Sequence, residues 1–202
     1  MNYYSTGIVL VFSAFYAAFV FWFNGYLPFY TDEAYYYLWS RHLSMGYLDH
    51  PAMIAYAIKA ATVFGDTAQT IRTVNIVSFF GAAAFVYLSA EYLLKDKKAA
   101  VYSFFIFILS PAATMGLSIT TPDSPLVLFW SAALYFGARA FFEDKTSLYA
   151  VTGGLIGLAM LSKYTAVLIA ASLVILITIK KPKLYLTKKP YIAIVAALIA
   201  FS

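Results

Sequence analysis

Long apolar runs separated by short polar segments dominate this chain. A helix needs about 20 apolar residues to cross the ~30 Å hydrocarbon core of a bilayer. On that measure the pattern predicts membrane helices near 6–27, 72–94, 99–119 and 124–142. The stretch 148–179 is too long for one comfortable span and short for two. Its only charge is Lys163, so it divides at Ser162-Lys163-Tyr164 into arms near 148–161 and 164–179. Each arm reaches roughly 21–24 Å at ~1.5 Å per residue. Arms that short put Lys163 at the floor of a cavity below the membrane surface. A last run, 191–202, falls short of a span, so the chain reads as the N-terminal part of a longer protein.

Composition agrees: 63% of residues are hydrophobic and 11% charged, where a soluble domain is about half apolar and a quarter charged. The expected fold class is therefore an all-α polytopic membrane protein. The first run lacks a basic leader and a small-residue cleavage site, so it reads as a retained helix rather than a removed signal. The net charge of +5 raises nucleic acid as a partner, but the distribution of the lysines argues against it. Of the 14 Lys and Arg residues, most lie in KDKK (95–98), Arg139 with Lys145, and KKPKLYLTKK (180–189). Such loops face the cytoplasm by the positive-inside rule. With Lys145 and Lys180 on one side, 148–179 must go out and return. Arg41, Lys59, Arg72 and Lys163 then fall on the outer side with Asp32, Glu33, Asp49, Asp66 and Asp123. The chain has no cysteine, which removes disulfides, thiolate metal sites and Cys nucleophiles.

Residues 31–65 are too structured in pattern for a simple loop. Thr31-Asp32-Glu33 opens a segment with helical composition, near 32–45, which Thr31 or Asp32 can cap and Gly46 breaks. A second helix, near 51–65, starts at Pro51 and ends at Gly65. Both are expected to lie along the membrane interface, where Tyr and Trp prefer to sit. The tyrosines read as a belt that holds them there.

Both histidines, His42 and His50, and three of the carboxylates, Asp32, Glu33 and Asp49, fall between residues 31 and 50. Taken alone, Asp32 and Glu33 are a charged helix start, His50 a turn residue, and Asp123 in TTPDSP a turn and cap. Neighbours on a helix point about 100° apart, so one carboxylate could face a cavity as a base while the other holds a structural partner. Lys163 is the least ordinary of the set, because an ammonium at membrane depth costs at least ~2.5–3.5 kcal/mol and needs an anionic or polar partner. Together they suit a cavity that holds a lipid-linked phosphate while a carboxylate takes a proton. There is no Gly-rich phosphate loop, HExxH or Ser-hydrolase motif.

Asp32-Glu33 after the first run, DHPAMIAY (49–56), TPDSPL (121–126) and GLAMLSKYTAVL (157–168) resemble the N-terminal half of family 39 glycosyltransferases. These are GT-C-fold membrane enzymes, among them protein O-mannosyltransferases and the lipid A aminoarabinose transferase. The resemblance implies sugar transfer from a polyprenyl-phosphate donor to a protein, lipid or glycan acceptor at the outer face, or in the lumen in eukaryotes; the expected location is a bacterial or archaeal plasma membrane. It implies Asp32 as base or acceptor-orienting carboxylate, with Glu33 its catalytic-site neighbour. His50, Lys163 and, more weakly, Arg72 would take the donor phosphate, and Asp123 and Asp49 would organise the site. No cofactor is required by the pattern, although His50 and Asp123 could share a divalent cation. The family's second proline after the DHP-type motif is Ala52 here, which should loosen that helix start. Without further spans and an outer domain, a chain of this length is expected to bind donor poorly and not turn over alone. The competing class is a transporter or flippase for an anionic or lipid-linked substrate, with a membrane scaffold as a third reading. The gathering of charge on one side rather than at the midplane favours the enzyme.

Overall fold

The computed structural model describes residues 3–202, with side chains from Thr6 onward. Among the described residues the regular structure is helical, apart from an isolated bridge between Gly46 and Pro51. In chain order the α-helices are α1 (Tyr3–Asn24), α2 (Thr31–Arg41), α3 (Met53–Ala61), α4 (Ala68–Ile71), α5 (Thr73–Leu94) and α6 (Lys97–Ile108). They continue with α7 (Pro111–Ser118), α8 (Asp123–Glu143), α9 (Thr146–Ser162), α10 (Val167–Lys180) and α11 (Lys189–Phe201). Three helical stretches, Thr6–Asn24, Ala68–Leu94 and Asp123–Glu143, are long and apolar enough to cross a membrane, and α6 with α7 makes a fourth if the pair is one span. Large apolar side chains such as Phe15, Ile106 and Ile199 stay exposed on the outside of the bundle, as lipid-facing helices require.

The expected continuous helix over 99–119 is instead two segments bent by 55°. Proline supplies no N–H and forces its predecessor out of the helical region. Ser110 is accordingly extended, and its hydroxyl accepts from the Ala113 amide to start α7 afresh. The outer connection also differs from expectation. α2 ends at Arg41, before Gly46, and α3 begins at Met53 because Pro51 is committed to the bridge with Gly46. Tyr30, not Thr31 or Asp32, stands at the N-cap of α2, and its amide donates to the Glu33 carboxylate at 3.1 Å. Ala52 is completely buried at the start of α3.

The bundle has two chemically distinct ends. At one, Lys163 pairs with Asp123; at the other, Lys189 pairs with Asp144, just past the opposite end of α8. The lysine-rich segments 95–98 and 180–189 lie at the Asp144 end, where Tyr92 packs on Tyr135 and Phe142. α9 and α11 meet through Gly153 and Gly157, a small-xxx-small spacing that lets backbones approach closely. A Cβ at either glycine would strike the backbone of Ala193 or Ala197, whereas one at Gly154 meets nothing. Gly153→Leu is therefore expected to displace α11 and cost about 1–3 kcal/mol, the usual range for overpacking. Gly154→Leu should leave the melting temperature in detergent unchanged, and equal melting of the two variants would contradict this packing.

The Asp144–Lys189 hydrogen bond, 2.5 Å long, holds the Asp144 carboxyl below the ordinary carboxylate range. A carboxylate with a lowered folded pKa stabilises above its unfolded pKa of about 3.9 and loses that contribution as pH falls through the lowered value. Asp144→Asn should thus lower thermal stability at neutral pH and flatten the acid limb of the melting curve. Parallel pH profiles for the variant and the parent would show that the pair contributes nothing.

Candidate functional site

Glu33 and Arg72 form the structural centre of the Asp123 end, and both side chains are 0% exposed. The Arg72 guanidinium donates from Nε to Glu33 Oε1 (2.8 Å) and from Nη2 to Glu33 Oε2 (2.5 Å). Its remaining donors reach the backbone carbonyls of Asn24 (2.8 Å), Leu27 (3.3 Å) and Pro28 (2.6 Å). All five guanidinium N–H groups are thereby occupied. The carboxylate is saturated as well, accepting from the Tyr30 amide and, at 3.0 Å, from the Thr120 amide. One ion pair thus ties the end of α1, the start of α2, the start of α5 and the loop before α8 into a single body. Both side chains are closed off from the surface. The catalytic part expected for Glu33 and the phosphate-binding part expected for Arg72 thus fall on two enclosed side chains.

Asp32 takes the other direction. Because Glu33 turns inward, its neighbour is rotated about 100° away and lies exposed at the edge of a cavity of about 700 Å³. Asp123 lines the same cavity, together with Phe79, Met115, Thr121 and Trp130. Two carboxylates thus sit on a largely apolar hollow bounded by α5, α7 and α8. The Glu33–Arg72 pair fixes both positions, since Asp32 precedes Glu33 and the Thr120 amide it holds is three residues before Asp123.

Lys163 completes this end from below. It stands extended between α9 and the 3₁₀ turn Tyr164–Ala166. Its ammonium donates to both Asp123 oxygens at 2.8 and 3.1 Å, across 40 residues of sequence. With two of three ammonium protons committed, one donor direction is uncommitted. The Lys163 side chain is 30% exposed, so the pair is reachable from outside the bundle.

Tyr36 is the residue the sequence reading passed over. It is buried beside Trp39 against Ile54, Ala55 and Ile58 of α3, not lying in a surface belt. Burial, reinforced by the nearby carboxylates of Asp32, Asp123 and Asp49, pushes its hydroxyl up to about 12. Tyr36 therefore stays protonated at neutral pH. The half-buried His50 ring lies 6.2 Å from the Tyr36 ring. Asp49 is more peripheral, accepting from the exposed Tyr35 hydroxyl at 2.9 Å, a bond that raises the Tyr35 pKa. Tyr47 stacks on Trp39 at 4.1 Å and donates to the Trp39 and His42 carbonyls. The signal for this was available: Glu33, Tyr36 and Ser40 follow a helical repeat that defines one buried face of α2. No group of three His, Asp or Glu among the described residues is placed to hold a metal ion.

Residues 49–202 match the sequence model of the family described as dolichyl-phosphate-mannose-protein mannosyltransferase. His50, Arg72, Asp123 and Lys163 lie inside that match, whereas Asp32 and Glu33 precede it. Among curated proteins, lipid A galacturonosyltransferase RgtD of Rhizobium johnstonii (strain DSM 114642 / LMG 32736 / 3841) is 28% identical over 145 residues. That alignment covers 70% of this chain and 30% of the relative, so the chain spans under a third of that protein's length. No solved structure matches.

Proposed function

Since the chain belongs to the dolichyl-phosphate-mannose-protein mannosyltransferase family, a group of membrane glycosyltransferases, we propose that it forms the donor and acceptor end of an enzyme using a polyprenyl-phosphate-linked sugar. The observation that carries this reading is the cavity shared by Asp32 and Asp123, with the Lys163 ammonium bonded to Asp123. In the reaction an acceptor hydroxyl attacks the anomeric carbon, and the bond from that carbon to the phosphate oxygen breaks. The hydroxyl proton passes to Asp32, the carboxylate free of competing bonds, and polyprenyl phosphate leaves with the bonding pair.

The leaving phosphate needs charge stabilisation more than protonation. Lys163 supplies it through its uncommitted proton, while Asp123 sets the ammonium's position. His50, beside Tyr36, offers a further donor to the phosphate. Glu33 and Arg72 act only as the frame that holds Asp32 and the Asp123 loop in register. The matched relative's name is that of a lipid A transferase, which favours a lipid acceptor over a protein one. An acceptor that is itself a phosphate would need no base, and Asp32 would then position it. In this reading the site faces outward, and the lysine-rich end faces the cytoplasm by the positive-inside rule.

The test is transfer of labelled sugar from a polyprenyl-phosphate donor in membranes from cells expressing the gene that encodes this chain. Lys163→Ala should lower kcat by about 10²-fold or more, the scale for removing one preorganised donor to a developing anion. Lys163→Arg should recover part of the loss. Undiminished transfer in Lys163→Ala would remove the phosphate role, and uptake of a lipid-linked substrate without transfer would favour a transporter.

A further inference from the structure

The Asp144 end carries a second feature that sugar transfer does not use. The connection from α10 to α11 is a 3₁₀ turn, Pro182–Leu186, with five lysines in or beside it. Two of them build the turn: Lys181 donates to the Phe141 carbonyl and Lys189 to Asp144. Lys180, Lys183 and Lys188 are exposed and, among the described residues, pair with no carboxylate. Lys180 and Lys183 rim a hollow of about 450 Å³ that Thr187 and Asp144 also line, the Asp144 carboxylate being held by Lys189. Beside it, between α8, α9, α10 and α11, runs an apolar groove of about 150 Å³ lined by Leu173, Val174, Ile177, Tyr185 and Ile194. Leu184 is buried under the turn while Leu186 projects 88% exposed.

The other lysine-rich turn makes a contrast. At 95–98, Glu91 and Asp96 lie among the lysines, Lys97 approaches Glu91 at 3.8 Å, and Lys95 sits over the Tyr92 ring. Positive-inside topology alone would account for lysines at both turns. It does not account for an apolar groove beside the cations at only one of them.

We propose that the 180–189 turn and its groove bind an acidic glycerophospholipid of the surrounding bilayer. Its phosphate would lie toward Lys180, Lys183 and Lys188, and one acyl chain along the groove. Basic residues at a membrane surface attract anionic headgroups strongly, and the groove supplies the apolar surface that separates lipid binding from a bare counterion effect. The site is at the end of the bundle opposite Asp32, Asp123 and Lys163, and does not rest on the glycosyltransferase reading.

Native mass spectrometry of the purified chain, mixed with equimolar dioleoylphosphatidylglycerol and dioleoylphosphatidylcholine, tests this. The glycerol lipid should be retained roughly tenfold in preference to the choline lipid. The triple variant Lys180→Gln, Lys183→Gln, Lys188→Gln should abolish that preference. The triple variant Lys95→Gln, Lys97→Gln, Lys98→Gln, with the same change in net charge, should keep it. Val174→Trp, which fills the groove from an exposed position, should reduce retention with all lysines in place. Equal retention of both lipids, equal loss in the two triple variants, or unchanged retention in Val174→Trp would each overturn the proposal. So would displacement of the glycerol lipid by equimolar polyprenyl phosphate, which would make this a substrate site.

Discussion

Arg72→Met is expected to leave little folded protein. Removing one partner of a buried ion pair strands the other charge and costs about 3–5 kcal/mol, against a total stability of about 5–15 kcal/mol for a typical protein. Here the loss also releases the carbonyls of Asn24, Leu27 and Pro28. Arg72→Lys should rescue poorly, because one ammonium cannot span two carboxylate oxygens and three carbonyls as a planar fork does. Monodisperse yield in detergent and the melting temperature give the readout. If Arg72→Lys melted with the parent and lost only donor binding, the phosphate role first inferred for Arg72 would return and the structural one would fall.

Asp32→Asn is expected to do the reverse: normal melting and a fall in kcat of about 10²–10⁴-fold, the range for a lost general base. Asp32 is exposed at the cavity edge, so neutralising it disturbs no packing. The paired control is Glu33→Gln, which keeps the shape but weakens a carboxylate that accepts from Arg72 and from the Tyr30 and Thr120 amides. It should lower the melting temperature first and activity only as a consequence. A stable Glu33→Gln protein without activity, beside an active Asp32→Asn, would exchange the two assignments.

Much of the site was legible in the residues. A lone Lys163 in an apolar run demanded an anionic or polar partner, expected there to be the donor phosphate, whereas the structure supplies Asp123. Adjacent carboxylates at a helix start had to diverge, so a division of labour between Asp32 and Glu33 followed from helix geometry. What could not be read was which one turned inward. Nor could the pattern show that Arg72, at the start of an apolar helix, would be consumed by Glu33 and three carbonyls rather than left for a phosphate. The tyrosines misled for a similar reason: an aromatic at an interface and an aromatic buried between two short helices have the same composition, and only the α2 repeat separates Tyr36 from Tyr35.

The sequence by itself determined the helical, membrane-bound character of the chain, the break at Lys163 and the gathering of most lysines into a few short segments. These follow from local hydropathy and charge, which act over a turn or two of helix or a single loop. The tertiary structure alone decided that Glu33 meets Arg72, that Lys163 meets Asp123, and that Gly153 and Gly157 admit the backbone of α11. A buried charge must find a partner somewhere, but the pattern along the chain does not say where. The partner is chosen by whichever distant element packs beside it, and here that choice leaves Asp32 facing the cavity.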